Sequence, residues 1–219
     1  MKKLLIFISV LFFSLPAFAQ LGQGQNMISG NLGLGFQLNN SGIQYSAGGP
    51  NLDWGSLGID YAIAYHYLIT RYLALGAELG AGSYDGANIT FSNKNQANSY
   101  VRLFRGMLSA RFNANPGSRF RFYIPLGAGI VRATQAIDID YWGTKYHNKK
   151  TDNSLTWFLG AGLEFDIGDN GWNWGLQTRY NVFTYDTDKL VKNAPAPIQG
   201  DGKRKYEYMN FMLTISKRF

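Results

Sequence analysis

The chain has 219 residues, 46% hydrophobic and only 16% charged, with 26 Gly, 14 Tyr, 15 Phe, 5 Trp and no Cys. Soluble domains carry about 25% charged residues, so the composition argues against an ordinary soluble domain, and without Cys there are neither disulfides nor thiolate metal sites. The formal charge is +7, or +5 without Lys2 and Lys3; no basic stripe or recognition motif accompanies it, so no nucleic-acid partner is expected and anionic lipid headgroups suit it better.

Residues 1–19 read as a cleaved secretory signal peptide. Lys2 and Lys3 start it, Leu4 to Leu15 form the apolar run, Pro16 breaks that run, and Ala17-Phe18-Ala19 supplies the small-x-small cleavage pattern. The run is short for a spanning helix, which needs about 20 apolar residues. Cleavage after Ala19 would leave Gln20 at the mature end and a single domain over 20–219. No Cys follows the cleavage site to carry a lipid.

Eight segments of period-two alternation follow, each long enough for a tilted transmembrane strand. The first, 27–38, sets Ile28, Leu32, Leu34 and Phe36 against Ser29, Asn31, Gly33 and Gln37. In the second, 57–68, Leu57, Ile59, Tyr61, Ile63, Tyr65 and Tyr67 face one way, and Gly58, Asp60, Ala62, Ala64 and His66 the other. The third, 72–84, sets Leu73, Leu75, Ala77 and Leu79 against Gly76, Glu78, Gly80 and Gly82. In the fourth, 100–112, Phe104, Leu108, Ala110 and Phe112 oppose Arg105, Ser109 and Arg111. The fifth, 120–132, has Phe122, Ile124, Leu126, Ala128 and Ile130 against Arg121, Tyr123, Gly127 and Gly129. Pro125 falls on that second face, removes a ladder donor and predicts a bulge or a local gap.

In the sixth segment, 154–167, Leu155, Trp157, Leu159, Leu163 and Phe165 oppose Thr156, Gly160, Gly162, Glu164 and Asp166. In the seventh, 172–184, Trp172, Trp174, Leu176, Tyr180 and Val182 oppose Asn173, Gly175, Gln177 and Arg179. The eighth, 208–219, has Phe211, Leu213, Ile215 and Phe219 against Asn210, Thr214, Ser216 and Arg218. Short connections at 69–71, 113–119 and 168–171 alternate with long ones at about 39–56, 85–99, 133–153 and 185–207. Short periplasmic turns and long outer loops are the asymmetry of an outer-membrane barrel, and an even strand count puts both termini in the periplasm.

Alternation alone does not separate such a barrel from a soluble one with its apolar face inside. A Gly-rich polar face suits a narrow interior, and aromatics near the strand ends suit interfacial girdles. The chain also ends Phe211-Met212-Leu213-Thr214-Ile215-Ser216-Lys217-Arg218-Phe219, an alternation finishing on a terminal Phe. That ending resembles the signal that outer-membrane barrels present to the barrel-assembly machinery. With the eight segments, the mature chain resembles the small OmpX/OmpA-type barrels, and its Gly- and Tyr-rich style is similar to the outer membrane protein beta-barrel domain proteins common in Bacteroidetes. The expected fold is all-β: a transmembrane, eight-stranded, antiparallel, up-and-down β-barrel. The expected surroundings are outer-membrane lipid and lipopolysaccharide, with the assembly machinery as partner during insertion and a larger outer-membrane complex as a further partner class. Lys217 departs from the terminal pattern but can snorkel to the headgroups.

The inward face carries four acids, Asp60, Glu78, Glu164 and Asp166, and four bases, Arg105, Arg111, Arg121 and Arg179, with Arg218 and His66 near the periplasmic end. An eight-stranded barrel has room for side chains but no open channel, and buried charges must pair. A salt-bridge network plugging the lumen is therefore expected. Its pairs depend on register and stay open here. A catalytic His needs a nucleophile or carboxylate in reach. His66 has no Ser beside it on its face; His147, in the third outer loop, has Asp138, Asp140, Asp152 and Ser154 nearby in sequence. No cofactor and no metal site is expected, the two His being separate and no Asp spacing resembling a calcium loop. Basic loop residues Lys149, Lys150, Lys189, Lys192, Lys203, Arg204 and Lys205 suit lipopolysaccharide phosphates or a docked partner. The reading that follows is non-enzymatic: a structural, adhesive or accessory membrane protein. A narrow pore or a conduit for small hydrophobic molecules is the alternative, and a lipid-modifying enzyme the third.

Overall fold

The computed structural model describes residues 22–39, 43–45, 51–52, 57–86, 89–92, 95–141, 143–168, 170–194, 198–200 and 202–219. The signal segment, Trp142, Pro195 and Pro197 lie outside the described residues. In chain order the strands are β1 (Asn26–Gln37), β2 (Ile43–Tyr45), β3 (Asn51–Leu52), β4 (Leu57–Leu68), β5 (Leu73–Asp85), β6 (Ile89–Ser92), β7 (Asn95–Asn113), β8 (Phe120–Tyr141), β9 (Thr144–Ile167), β10 (Trp172–Asp186), β11 (Ile198–Gly200) and β12 (Lys203–Arg218), with one helical turn, α1 (Asp188–Val191), after β10.

Eight strands close a barrel. β1, β4, β5, β7, β8, β9, β10 and β12 each pair antiparallel with their neighbours in that order, and β12 returns to pair with β1 from Met27–Arg218 to Gln37–Tyr208. Closure removes the edges of these eight strands, the condition for crossing hydrocarbon with strands. β6 extends the wall beside β7, and β11-β2-β3 form a small separate sheet.

The alternation has two phases, and the change between them marks the edge of the membrane. On β8 the residues Phe122, Ile124, Leu126 and Ile130 point outward and are exposed, while Arg121 and Tyr123 are buried inside. From Val131 onward the apolar residues occupy the opposite parity: Val131, Ala133, Ile137 and Ile139 are buried, and Asp138 is exposed. The same inversion occurs on β7 between outward Phe104 and inward Leu103 and Val101, on β10 before Phe183 and Tyr185, and on β12 before Tyr208 and Tyr206. Below the inversion the solvent is lipid and apolar groups face out; above it the solvent is water and they face in. The outward apolar run on β4, Leu57 to Tyr67, has the length of about 9–11 residues that a tilted strand needs.

Three of the four long loops expected from sequence are shorter than that reading. Residues 133–153 largely continue β8 and β9, which run 22 and 24 residues. β7 begins at Asn95, and β12 at Lys203. Residues 133–141 and 144–152 carry the β8–β9 hairpin about 30 Å along the strands past the apolar band, at roughly 3.3 Å per residue.

Candidate functional site

Two ionic clusters fill the membrane half of the lumen. Nearer the long hairpin, Arg105 on β7 grips Asp60 on β4 through both guanidinium nitrogens, with Nη1 2.7 Å from Oδ2. Arg179 on β10 donates to Glu78 on β5 at 2.5 Å, and Arg105 Nε lies 3.8 Å from the same carboxylate. Nearer the short turns, Glu164 on β9 pairs with Arg111, accepts from Ser216 Oγ at 2.5 Å and lies 3.6 Å from Arg121 Nε. Arg121 also holds Asp166 through both nitrogens, with Nη1 2.8 Å from Oδ2, and Arg218 joins that carboxylate at 2.6 Å. All eight charges expected inside are brought together, and Arg218 enters as a fifth guanidinium.

Aromatic rings separate the charges from the wall. Arg111 Cζ sits 3.7 Å from the centroid of Tyr123, and Arg179 Cζ 4.3 Å from that of Phe158. Each ring lies against a glycine, since a Cβ at Gly162 would overlap Tyr123 and one at Gly127 would run into Phe158. These glycines make space for ring-backed arginines; cation–π contact stabilises a desolvated guanidinium by about 2 kcal/mol.

The half of the lumen beyond the charges is apolar, which sequence reading did not anticipate. Tyr84, Tyr206, Tyr208, Phe183 and Tyr185 are buried and packed ring on ring, with Phe183 and Tyr206 stacked at 4.9 Å. Tyr84 Oη links this core to the ions, lying 3.0 Å from Asp60 Oδ2 and 3.1 Å from Asn210 Oδ1. Ile43 of β2, Ile198 of β11 and Leu190 of α1 cover it. Asn148 and Tyr146 hold α1 down through the Leu190 carbonyl, the Tyr146 hydroxyl at 3.1 Å. Met27, Leu68 and Ala74 close the short-turn end.

His66 corrects one expectation. Its Nε2 lies 3.1 Å from Ser109 Oγ on β7, so a Ser does stand beside it, two strands away: His66 pairs with Gly76, and Gly76 with Ser109. The pair borders a lumen cavity of about 10 Å³ shared with Ser29, Glu78 and Pro125, room for about one water and no substrate. His147 faces outward on the projecting hairpin with Nδ1 against Asp138, directly opposite. Asp140 faces Lys145 in register. Ser154 is committed elsewhere, donating to the Leu155 carbonyl at 3.0 Å and accepting from the Thr184 amide at 3.0 Å.

The wall has one gap in its ladder where Pro125 stands. Tyr123 pairs with Gly162 and Leu126 with Leu159, but Ile124 and Pro125 have no partners on β9. On the other side Pro125 keeps its place opposite Arg111. Register is unchanged across the break, so the missing donor produces a gap and no bulge. Outside it, an apolar groove of about 1030 Å³ is lined by Phe122, Ile124, Ala161, Leu163, Leu176 and Leu213. Tyr123 and Gln177 line both this groove and the lumen cavity.

At the seam, Phe219 exchanges two backbone hydrogen bonds with Asn26, at 2.9 and 3.0 Å, while Phe211, Leu213 and Ile215 lie exposed on the outer wall. Lys217 bends over the Trp172 ring, Nζ 5.1 Å from its centroid, and donates to the Asn170 carbonyl.

The sequence profile of the outer membrane protein beta-barrel domain matches residues 5–219. The chain belongs to this family. A comparison with curated proteins finds no match. Among solved structures, the outer membrane protein OprG from Pseudomonas aeruginosa is similar with a TM-score of 0.57 at 11% identity, over 92% of this chain and 99% of that one. Neisserial surface protein A gives 0.47 at 12% identity, over 90% and 98%. Ail of Yersinia pestis, solved with the heparin analogue sucrose octasulfate, gives 0.46 at 14% identity, over 90% and 99%. At such identity the likeness to OprG is one of fold. The protein is an integral outer-membrane β-barrel, which places it among lipid and lipopolysaccharide and makes it a client of the barrel-assembly machinery.

Proposed function

We propose that the protein is a sealed membrane anchor whose work is done by its outer hairpin and wall: a structural, adhesive or accessory subunit of an outer-membrane complex. The short turns and both termini face the periplasm, and the β8–β9 hairpin projects from the cell. One contrast carries this reading. The lumen is filled along its described length, by ions in one half and aromatics in the other, whereas β8 and β9 continue as paired strands far past the apolar band. Extending a hairpin into water requires inward packing, supplied by Ile137 and Ile139, and leaves an ordered outward face bearing Asp138, Lys145 and His147. Such a face suits recognition better than conduction. Catalysis is not part of the reading, because the His66–Ser109 pair is enclosed and the residues near His147 in sequence supply it with a carboxylate but no free nucleophile.

The triple substitution Asp138→Ala, Lys145→Ala and His147→Ala tests this. Outer membranes are solubilised in mild detergent and the barrel is recovered with its natively bound proteins. Wild type is expected to bring down a discrete partner that the triple variant loses, with the heat-modifiable barrel band unchanged. Equal recovery from both would refute the hairpin as the working surface.

The Pro125 gap favours a second reading, a side passage for small apolar molecules between the wall groove and the lumen. Pro125→Val restores the missing amide donor. If the passage operates, the valine variant should lower the uptake of a fluorescent naphthylamine into proteoliposomes to the protein-free rate; uptake equal to wild type would exclude it.

A further inference from the structure

Where the outward face changes from apolar to polar, three neighbouring strands present Arg102 on β7, Arg132 on β8 and Asn153 on β9, all exposed. Arg132 stands opposite Asn153 on one side and Phe104 on the other; Arg102 is the next outward residue along β7, opposite Thr134. The two arginines are thus diagonal neighbours on one face, roughly 7–8 Å apart at Cα, and their long side chains can converge on a single anion.

Their electrostatic situation differs from that of the lumen arginines. Arg105, Arg111, Arg121 and Arg179 each contact a carboxylate. Among the described residues neither Arg102 nor Arg132 has a carboxylate within ion-pair distance. That includes Asp85, which faces outward beside them on β5 opposite Tyr100. Arg102 is steadied by the Tyr100 ring, its Cζ 5.1 Å from the centroid. Immediately toward the membrane the same strands expose Phe104, Ile130 and Leu155, at 58%, 60% and 80%. Two uncompensated guanidiniums at the upper edge of an apolar slab match one kind of ligand: an anionic head with hydrocarbon beneath it. Guanidinium suits phosphate oxygens because it presents a planar fork of donors and sheds water more readily than an ammonium. The low-dielectric layer below strengthens the attraction.

We propose that Arg102, Arg132 and Asn153 form a site for the phosphorylated headgroup of an outer-leaflet lipid of the lipid A class, with its acyl chains along Phe104, Ile130 and Leu155. The identity of the lipid rests on the orientation given above, hairpin outward; the phosphate site itself does not.

The test uses the full mature chain in phosphatidylcholine nanodiscs, with native mass spectrometry reading retained bisphosphorylated lipid A. Wild type should retain it. The variant Arg102→Ala/Arg132→Ala should retain about tenfold less, a loss of about 1.4 kcal/mol. Arg102→Lys/Arg132→Lys should fall between, and Arg71→Ala, exposed in the short turn at the opposite end of the barrel, should match wild type. Heat-modifiable migration checks that each variant is folded. Retention by the double alanine variant equal to wild type would overturn the site. So would equal retention of dephosphorylated lipid A; complete displacement by millimolar inorganic phosphate would overturn the lipid as the ligand and leave a site for free phosphate. Orientation is read separately, with an impermeant thiol reagent on intact cells: Lys145→Cys should label and Ser118→Cys should not. The reverse pattern removes lipid A as the natural ligand and leaves the phosphate result to stand or fall alone.

Discussion

Glu164→Ala is expected to destabilise the barrel by about 3–5 kcal/mol, the range for removing one partner of a buried ion pair, and to lower the temperature at which the compact band is lost on a gel by roughly 10 °C. Glu164 is fully buried and serves Arg111, Arg121 and Ser216 together. Without it, Arg111 keeps no carboxylate, and its described contacts are Asn113 at 2.8 Å, the Met27 sulfur at 3.7 Å and the Tyr123 ring. Arg121 retains Asp166, which it then shares with Arg218. The deficit should be concentrated on Arg111, which gives the prediction a second arm. Arg111→Met added to Glu164→Leu removes the stranded cation with its partner and should recover most of the loss, because a buried pair replaced by apolar groups of similar volume is often neutral. If the double variant is as unstable as the single, the cluster acts by packing and not by charge compensation.

Deleting Phe219 should reduce the amount of folded barrel in the outer membrane about tenfold or more, since two seam hydrogen bonds of about 1 kcal/mol each disappear with it. Phe219 contributes an amide donor and a carbonyl acceptor to Asn26, where the first and last barrel strands meet. Its ring also completes the outward series of Phe211, Leu213 and Ile215. Phe219→Tyr keeps the backbone bonds and an aromatic ring and should accumulate as wild type; Phe219→Ala keeps the bonds alone and separates seam closure from recognition of the ring. Quantitative blotting of heat-modifiable protein from purified outer membranes reads all three. Wild-type levels after deletion would mean that the terminal residue matters neither to closure nor to insertion.

Both predictions depend on features of different legibility. The strands were readable because a wall between lipid and a polar lumen forces apolar and polar residues to alternate, and the Pro125 break was readable because proline lacks a donor. The pairing of Arg111 with Glu164 was not, because it joins strands that are not neighbours and depends on how the registers accumulate around the barrel. Ser109 beside His66 was missed for the same reason. The extension of β8 and β9 is hidden from a reading of apolar residues in one parity, since that series ends at Ile130. The signal was present: Ile137 and Ile139 alternate with Asp138 and Asp140, in the opposite phase. Reading a phase inversion as the membrane boundary, and not as the end of a strand, would have found both the projecting hairpin and the aromatic half of the lumen.

The sealed lumen is the claim on which the functional reading stands, and single-channel recording tests it most directly. Purified, refolded barrel in a planar lipid bilayer should give no discrete openings above the protein-free baseline at any voltage the membrane tolerates. The variant Phe183→Ala/Tyr206→Ala, which thins the aromatic half while leaving both ionic clusters in place, should remain silent as well. Reproducible unitary steps from the wild-type protein would contradict the account.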